Sequence, residues 1–220
     1  MMNNRLKAIL VTSVVILSVL AVALIITNNN GNSILPGNNN EADTKEDETI
    51  VYDSFLLSDE ITVDLLPINK YTRPGTELKR VNAIVIHYVG NPGTTAKQNW
   101  NYFRTLSDTG ERSASSHYII GLEGEIIQCV PLNEISYASN DRNKDTIAIE
   151  NCHPDAAGKF NNNTYESLVK LAAALCRTYG LDPMTDVIRH YDVTGKLCPI
   201  YYVENEEEWY QLKLAIKHAM

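Results

Sequence analysis

The chain has 220 residues, 44% of them apolar, and a formal net charge of −8. That length allows one good-sized domain with appendages, and that charge excludes a basic face of the kind nucleic acids require. The acidity is concentrated: residues 41–60 hold eight acids and one base, so the excess belongs to a tether and leaves residues 61–220 near neutrality.

The run from Ala8 to Ile26 carries no charge and no proline. As a helix it spans about 28 Å, close to the apolar thickness of a bilayer. Arg5 and Lys7 precede it, so the N-terminus is expected to stay cytoplasmic and the rest to lie outside. The alternative is secretion after signal cleavage, but Leu24-Ile25-Ile26-Thr27-Asn28 lacks the small residues of a cleavage site. Residues 1–27 are therefore read as a cytoplasmic stub and single-pass membrane anchor. Residues 28–60, Asn-rich and then acidic, are read as a linker that repels itself and stays extended.

Residues 61–220 are read as one domain. Val81 to Val89 is nearly continuous in apolar and β-branched residues, as in a strand buried on both faces. Thr94 is expected to cap a helix in which Ala96, Trp100, Phe103 and Leu106 share a face. A hairpin follows, from His117 to Val130, turning at Glu123-Gly124. Thr146 to Glu150 reads as a strand. Thr164 is expected to open a helix that Gly180 ends. Val187 to His190 is a further strand, and a last helix runs from about Asn205, with Glu206, Glu207 and Glu208 at its positive end. Strands alternating with helices, plus one hairpin, give an α/β fold with a central mixed β-sheet flanked by helices.

The segment Arg189-His190-Tyr191-Asp192-Val193-Thr194-Gly195-Lys196-Leu197-Cys198-Pro199 sets an imidazole and a thiol in one short stretch. Nitrogen and sulfur are the donors Zn²⁺ prefers. The third donor is expected to be His87, at the end of an apolar strand. Three ligands with a fourth position open to water is the catalytic arrangement. Taken singly, each histidine would be an ordinary core residue; the thiol and the strand ends favour the joint reading. Glu150 follows three apolar residues at a strand end, an expensive place for a carboxylate, and suits a general base. Lys196, between two ligands, suits an oxyanion. The four cysteines form no CxxC pair. Beside Cys198, the other three read as free buried thiols, with a Cys129–Cys152 bridge as the alternative.

Four stretches then carry a specific likeness. Ile84-Val85-Ile86-His87-Tyr88, Ser116-His117-Tyr118-Ile119-Ile120-Gly121, Ile149-Glu150-Asn151-Cys152 and the segment from Arg189 to Pro199 resemble the zinc-dependent N-acetylmuramoyl-L-alanine amidases. That family shares its fold with phage amidase-type lysozymes and peptidoglycan recognition proteins. The likeness covers roughly residues 68–220. It implies His87, His190 and Cys198 as zinc ligands, Glu150 as the catalytic carboxylate and Lys196 beside the oxyanion. The implied substrate is peptidoglycan, cut at the amide between N-acetylmuramic acid and L-alanine of the stem peptide. Separately, the chain is expected to be a monomer, and its acidity argues against a nucleic-acid partner.

His117 and Asn151 are candidates for substrate contact. Where some relatives have a tyrosine before the hairpin histidine, this chain has Ser116. Where relatives often have a histidine after the hairpin, it reads Ser136-Tyr137-Ala138-Ser139. A metal-free peptidoglycan-binding module, or a zinc amidase acting on another amide, are the competing expectations.

Overall fold

The computed structural model describes residues 50–220. The expected anchor over 1–27 lies outside the described residues, as does most of the expected linker. Among the described residues no helix is long and apolar enough to cross a membrane.

Six strands build one sheet: β1 (Ile61–Val63), β2 (Ala83–Tyr88), β3 (Tyr118–Ile120), β4 (Ile126–Gln128), β5 (Thr146–Asn151) and β6 (Val187–Arg189). Their order is β1-β4-β3-β5-β2-β6. Only β3 and β4, the expected hairpin, run antiparallel; the other four neighbouring pairs are parallel. The sheet is therefore mixed, as the pattern of elements implied.

Alternation along the strands sorts the side chains between two faces. Ile84 and Ile86 of β2, Ile147 and Ile149 of β5, and Tyr118 and Ile120 of β3 enter the larger core. There they meet α2 (Asn162–Tyr179) and α6 (Glu206–His218) through Leu168, Leu171, Leu175, Trp209, Leu212 and Ile216. Ile119 of β3 and Ile127 of β4 face the other way, into a smaller cluster with Phe103 and Ala96 of α1 (Ala96–Thr109). The β2 strand is buried along all but its last residue, as a central strand between two helical layers must be.

Two helix starts differ from expectation. Thr95, not Thr94, caps α1: its hydroxyl accepts from Gln98 N–H, and the Gln98 side chain takes the Thr95 N–H in return. The Thr94 hydroxyl is already committed to the Asn91 carbonyl at 2.7 Å. Asn161, not Thr164, caps α2, accepting from the Thr164 N–H at 2.9 Å. The Thr164 hydroxyl instead donates to the Gly121 carbonyl and ties the helix to the hairpin. Gly180 ends α2 in the left-handed region at φ 65°, as expected.

Three short helices were not anticipated: α3 (Pro183–Asp186), α4 (His190–Thr194) and α5 (Ile200–Glu204). Each is too short to show a periodic apolar stripe. The expected strand through His190 stops at Arg189, and His190 opens α4. Folded structure also begins earlier than residue 61. A 3₁₀ turn at Ser54–Leu57 buries Leu56 in the larger core. Asp53 holds that turn on α2, pairing with Arg177 at 2.7 Å while its N–H donates to the Thr178 hydroxyl. All four cysteines are free and buried, so the Cys129–Cys152 bridge is absent.

Candidate metal centre

The register of the sheet assembles the site. His87 stands directly beside Glu150 across β2 and β5, and Ile86 stands beside Arg189 across β2 and β6. His87 and Glu150 share strand parity with Val85 and Ala148, so both point away from the α2 core. His190, one step beyond the end of β6, arrives at the same rim. The carboxyl ends of three neighbouring parallel strands thus deliver two imidazoles and a carboxylate, the usual position for a site in an α/β sheet.

Arg189 anchors this end of the sheet. Its guanidinium donates to the Tyr202 carbonyl at 2.8 Å, to Glu206 at 2.7 Å and to Asp192 at 2.8 Å. Asp192 also accepts the Arg189 N–H and so caps α4. Gly195 ends α4 at φ 77°, and the chain doubles back. The Tyr191 N–H donates to the Cys198 carbonyl at 3.0 Å, which returns the thiol to the histidines.

His87, His190 and Cys198 converge. One donor atom from each lies within 4.8 Å of the others, and all three residues are buried. Cys198 Sγ is 3.9 Å from His87 Nδ1, and the two imidazole centres are 4.7 Å apart. Burial, with the charges of His190 and Lys196, holds His87 well below the usual histidine range. Burial and Lys196 also lower His190. Both rings are therefore neutral at pH 7, the form that carries a ligand lone pair. Burial pushes the Cys198 thiol up to about 12, with Glu150 adding to the rise and the Tyr88 N–H and Lys196 opposing it. A soft, neutral-nitrogen and sulfur set of this size fits Zn²⁺, whose charge would release the thiol proton.

Glu150 is partly buried, and its Oε2 is enclosed without a hydrogen-bond partner in the protein. Burial raises its carboxyl to about 8, against the pull of Lys196. Lys196 is exposed and makes no ion pair among the described residues. All five residues line one open groove of about 830 Å³, walled by α1 through Gln98, Asn99 and Tyr102, and by Arg112 and Tyr137.

The other two candidates lie elsewhere. His117 is fully buried and does not line the groove. Its Nε2 donates to the Glu134 carbonyl at 2.9 Å, while its Nδ1 accepts from the Ala148 N–H and the Ser136 hydroxyl, each at 3.0 Å. That is a satisfied core histidine tying β3 to β5. Asn151 is fully buried and clamps the strands, donating to the His87 carbonyl at 2.8 Å. Neither reaches a ligand in the groove. His153 has its ring nitrogens against the carbonyls of Val89 and Asp155.

Two residues of the site were not foreseen. Ser139 Oγ lies 3.2 Å from His87 Nε2, and Asn140 Oδ1 lies 3.2 Å from His190 Nε2. Both precede or open a 3₁₀ turn at Asn140–Lys144. The only local sign was Asn140 itself, a residue tolerant of the positive φ of 52° it adopts.

Residues 77–200, which contain every one of these groups, match the N-acetylmuramoyl-L-alanine amidase family of the Amidase_2 type. The chain belongs to that family. The N-acetylmuramoyl-L-alanine amidase BlyA of Bacillus subtilis (strain 168) is 34% identical to it over 179 residues, covering 72% of this chain and 47% of BlyA. The amidase CwlL of Bacillus licheniformis is 32% identical over 161 residues, covering 67% of this chain and 44% of CwlL. The chain thus spans about half the length of the curated relatives it matches. Among solved structures, a mutant endolysin from Bacillus subtilis superposes with a TM-score of 0.59 at 25% identity, covering 71% of this chain and 97% of the endolysin. PlyL superposes with a TM-score of 0.62 at 22% identity, over 73% of this chain and 98% of PlyL, and shows a shared fold.

Proposed function

We propose that this chain hydrolyses peptidoglycan at the amide between N-acetylmuramic acid and L-alanine of the stem peptide, with zinc held by His87, His190 and Cys198. The observation that carries the reading is the convergence of those three donors beside Glu150 on the floor of an open groove. A polymer needs such a groove, since a closed pocket would admit only a chain end.

Bound there, zinc supplies a Lewis acid that polarises the amide carbonyl and lowers the pKa of a water molecule. Glu150 takes the proton that water loses on attack and hands it to the departing L-alanine nitrogen. Burial, which favours the protonated carboxyl, suits the second transfer, and the pull of Lys196 toward the ionised form suits the first. Lys196 faces the groove with its ammonium uncommitted and stabilises the oxygen that becomes negative. The α1 wall and Tyr137 orient the glycan and peptide on either side.

The wider reading adds an anchor. Residues 8–26 are uncharged and follow Arg5 and Lys7, which supports a single-pass helix with residues 61–220 on the extracytoplasmic side. Digestion of purified cell walls, with detection of newly freed L-alanine amino groups, tests the activity. Release of reducing sugar in place of amino groups would overturn it.

A further inference from the structure

We infer that Ser139 and Asn140 are positioning residues that set the tautomer of both histidine ligands, so that one loop aims two donors of the metal set. The inference rests on the metal reading above. A neutral imidazole has one N–H and one lone pair, and the partner of the first decides where the second points. At His190 the partner is Asn140 Oδ1, 3.2 Å from Nε2. A carbonyl oxygen only accepts, so Nε2 carries the proton and Nδ1 the lone pair. At His87 the partner is Ser139 Oγ, 3.2 Å from Nε2. A hydroxyl can donate or accept, and the direction is set by the opposite nitrogen, Nδ1, which faces Cys198 Sγ and keeps its lone pair for the metal, so the hydroxyl accepts from Nε2–H. Ser139 is fully buried, so water cannot take over its role.

The loop is held for this task. Asn143 Oδ1 accepts the N–H groups of Ala138 and Ser139, at 3.0 and 2.6 Å. The Arg142 N–H donates to the Ser139 carbonyl at 3.0 Å. Asn140 sits at φ 52°, the only non-glycine residue with a positive φ among the described residues, and that twist turns consecutive side chains toward different histidines. Ligands oriented in this way usually bind metal about 10- to 100-fold more tightly than unsupported ones.

The test compares Ser139→Ala, Asn140→Gly and Asn140→Asp with the wild-type chain. Imidazole tautomers are read by ¹⁵N–¹H correlation in the metal-free protein, and zinc affinity by chelator competition. Both wild-type rings are expected as Nε2–H tautomers. Ser139→Ala should mix the tautomers of His87 alone, and Asn140→Gly those of His190 alone. Each should weaken zinc by about tenfold or more. Asn140→Asp, which can only accept, should restore His190 and the affinity. Glycine adopts a positive φ freely, so Asn140→Gly keeps the loop conformation. An Nδ1–H tautomer at either wild-type ring, variant affinities within twofold of wild type, or no rescue by Asn140→Asp would each overturn the inference. A wild-type chain that binds no zinc would sink the metal reading itself; unchanged affinities beside a zinc-binding wild type would sink this inference alone.

Discussion

His117 and His87 are one residue type put to opposite uses. Every polar atom of the His117 ring is spent on the fold, whereas His87 keeps one nitrogen aimed at a thiol. His117→Ala should therefore cost about 3 kcal/mol of stability, from a cavity and two orphaned backbone groups, with zinc affinity unchanged. Denaturant titration beside chelator competition separates the two effects.

His117 also predicts an acid dependence. Burial lowers it from 6.5 to about 4. The unfolded chain then takes up a proton before the folded chain does. Stability contributed by keeping this ring neutral is complete above pH 6.5 and is lost as pH falls toward 4, by up to about 3 kcal/mol. Unfolding midpoints measured across that range in His117→Ala should lack this slope.

At the centre itself, Cys198→Ser is expected to lose bound zinc and wall hydrolysis together. Glu150→Gln should retain zinc yet lose turnover by at least about 100-fold, as removal of a general base does. Metal content by emission spectroscopy and amino-group release check both. These residues were legible because donor chemistry is a property of a side chain. Ser139 and Asn140 were not, because a hydroxyl or amide gains its role only from what lies 3.2 Å away.

Among the elements, the long ones followed their patterns and the short ones did not. The β2 strand and helices α1, α2 and α6 are long enough for a period to show. The cap of α1 slipped by one residue because two adjacent threonines offer the same chemistry; only the prior engagement of Thr94 with Asn91 decides between them. The 3₁₀ turn at Ser54–Leu57 hid among acidic neighbours, since the contact that holds it, Asp53 with Arg177, spans 124 positions. Helices α4 and α5 owe their placement to Arg189, which no local pattern reveals. Arg189→Ala should cost about 2–4 kcal/mol by freeing the Tyr202 carbonyl and two acids. It should also weaken zinc, because His190 follows it directly. A charge-conserving Arg189→Lys, unable to serve three partners in one plane, should recover only part of either quantity.

For the whole molecule, the proposed metal is a cross-link as well as a reagent. Its ligands come from β2, the start of α4 and the turn before α5, the first more than a hundred positions from the other two. Zinc at 100 times its dissociation constant would add about 2.7 kcal/mol to folding. A chelator should lower the thermal midpoint correspondingly, and scanning calorimetry with and without it measures the difference. Cys198→Ser should make the midpoint insensitive to chelator.

The pairing of His87 with Glu150 carries a further consequence, for how such a chain can change over generations. Conservative swaps among the apolar residues of β2 can be absorbed one at a time, but an added or deleted codon there cannot. Shifting the strand by a single position would turn the imidazole into the greasy interior and push Ile86 out toward the substrate. Length variation should therefore collect in the connecting loops, while the reading frame of these two strands stays locked to the chemistry at their tips.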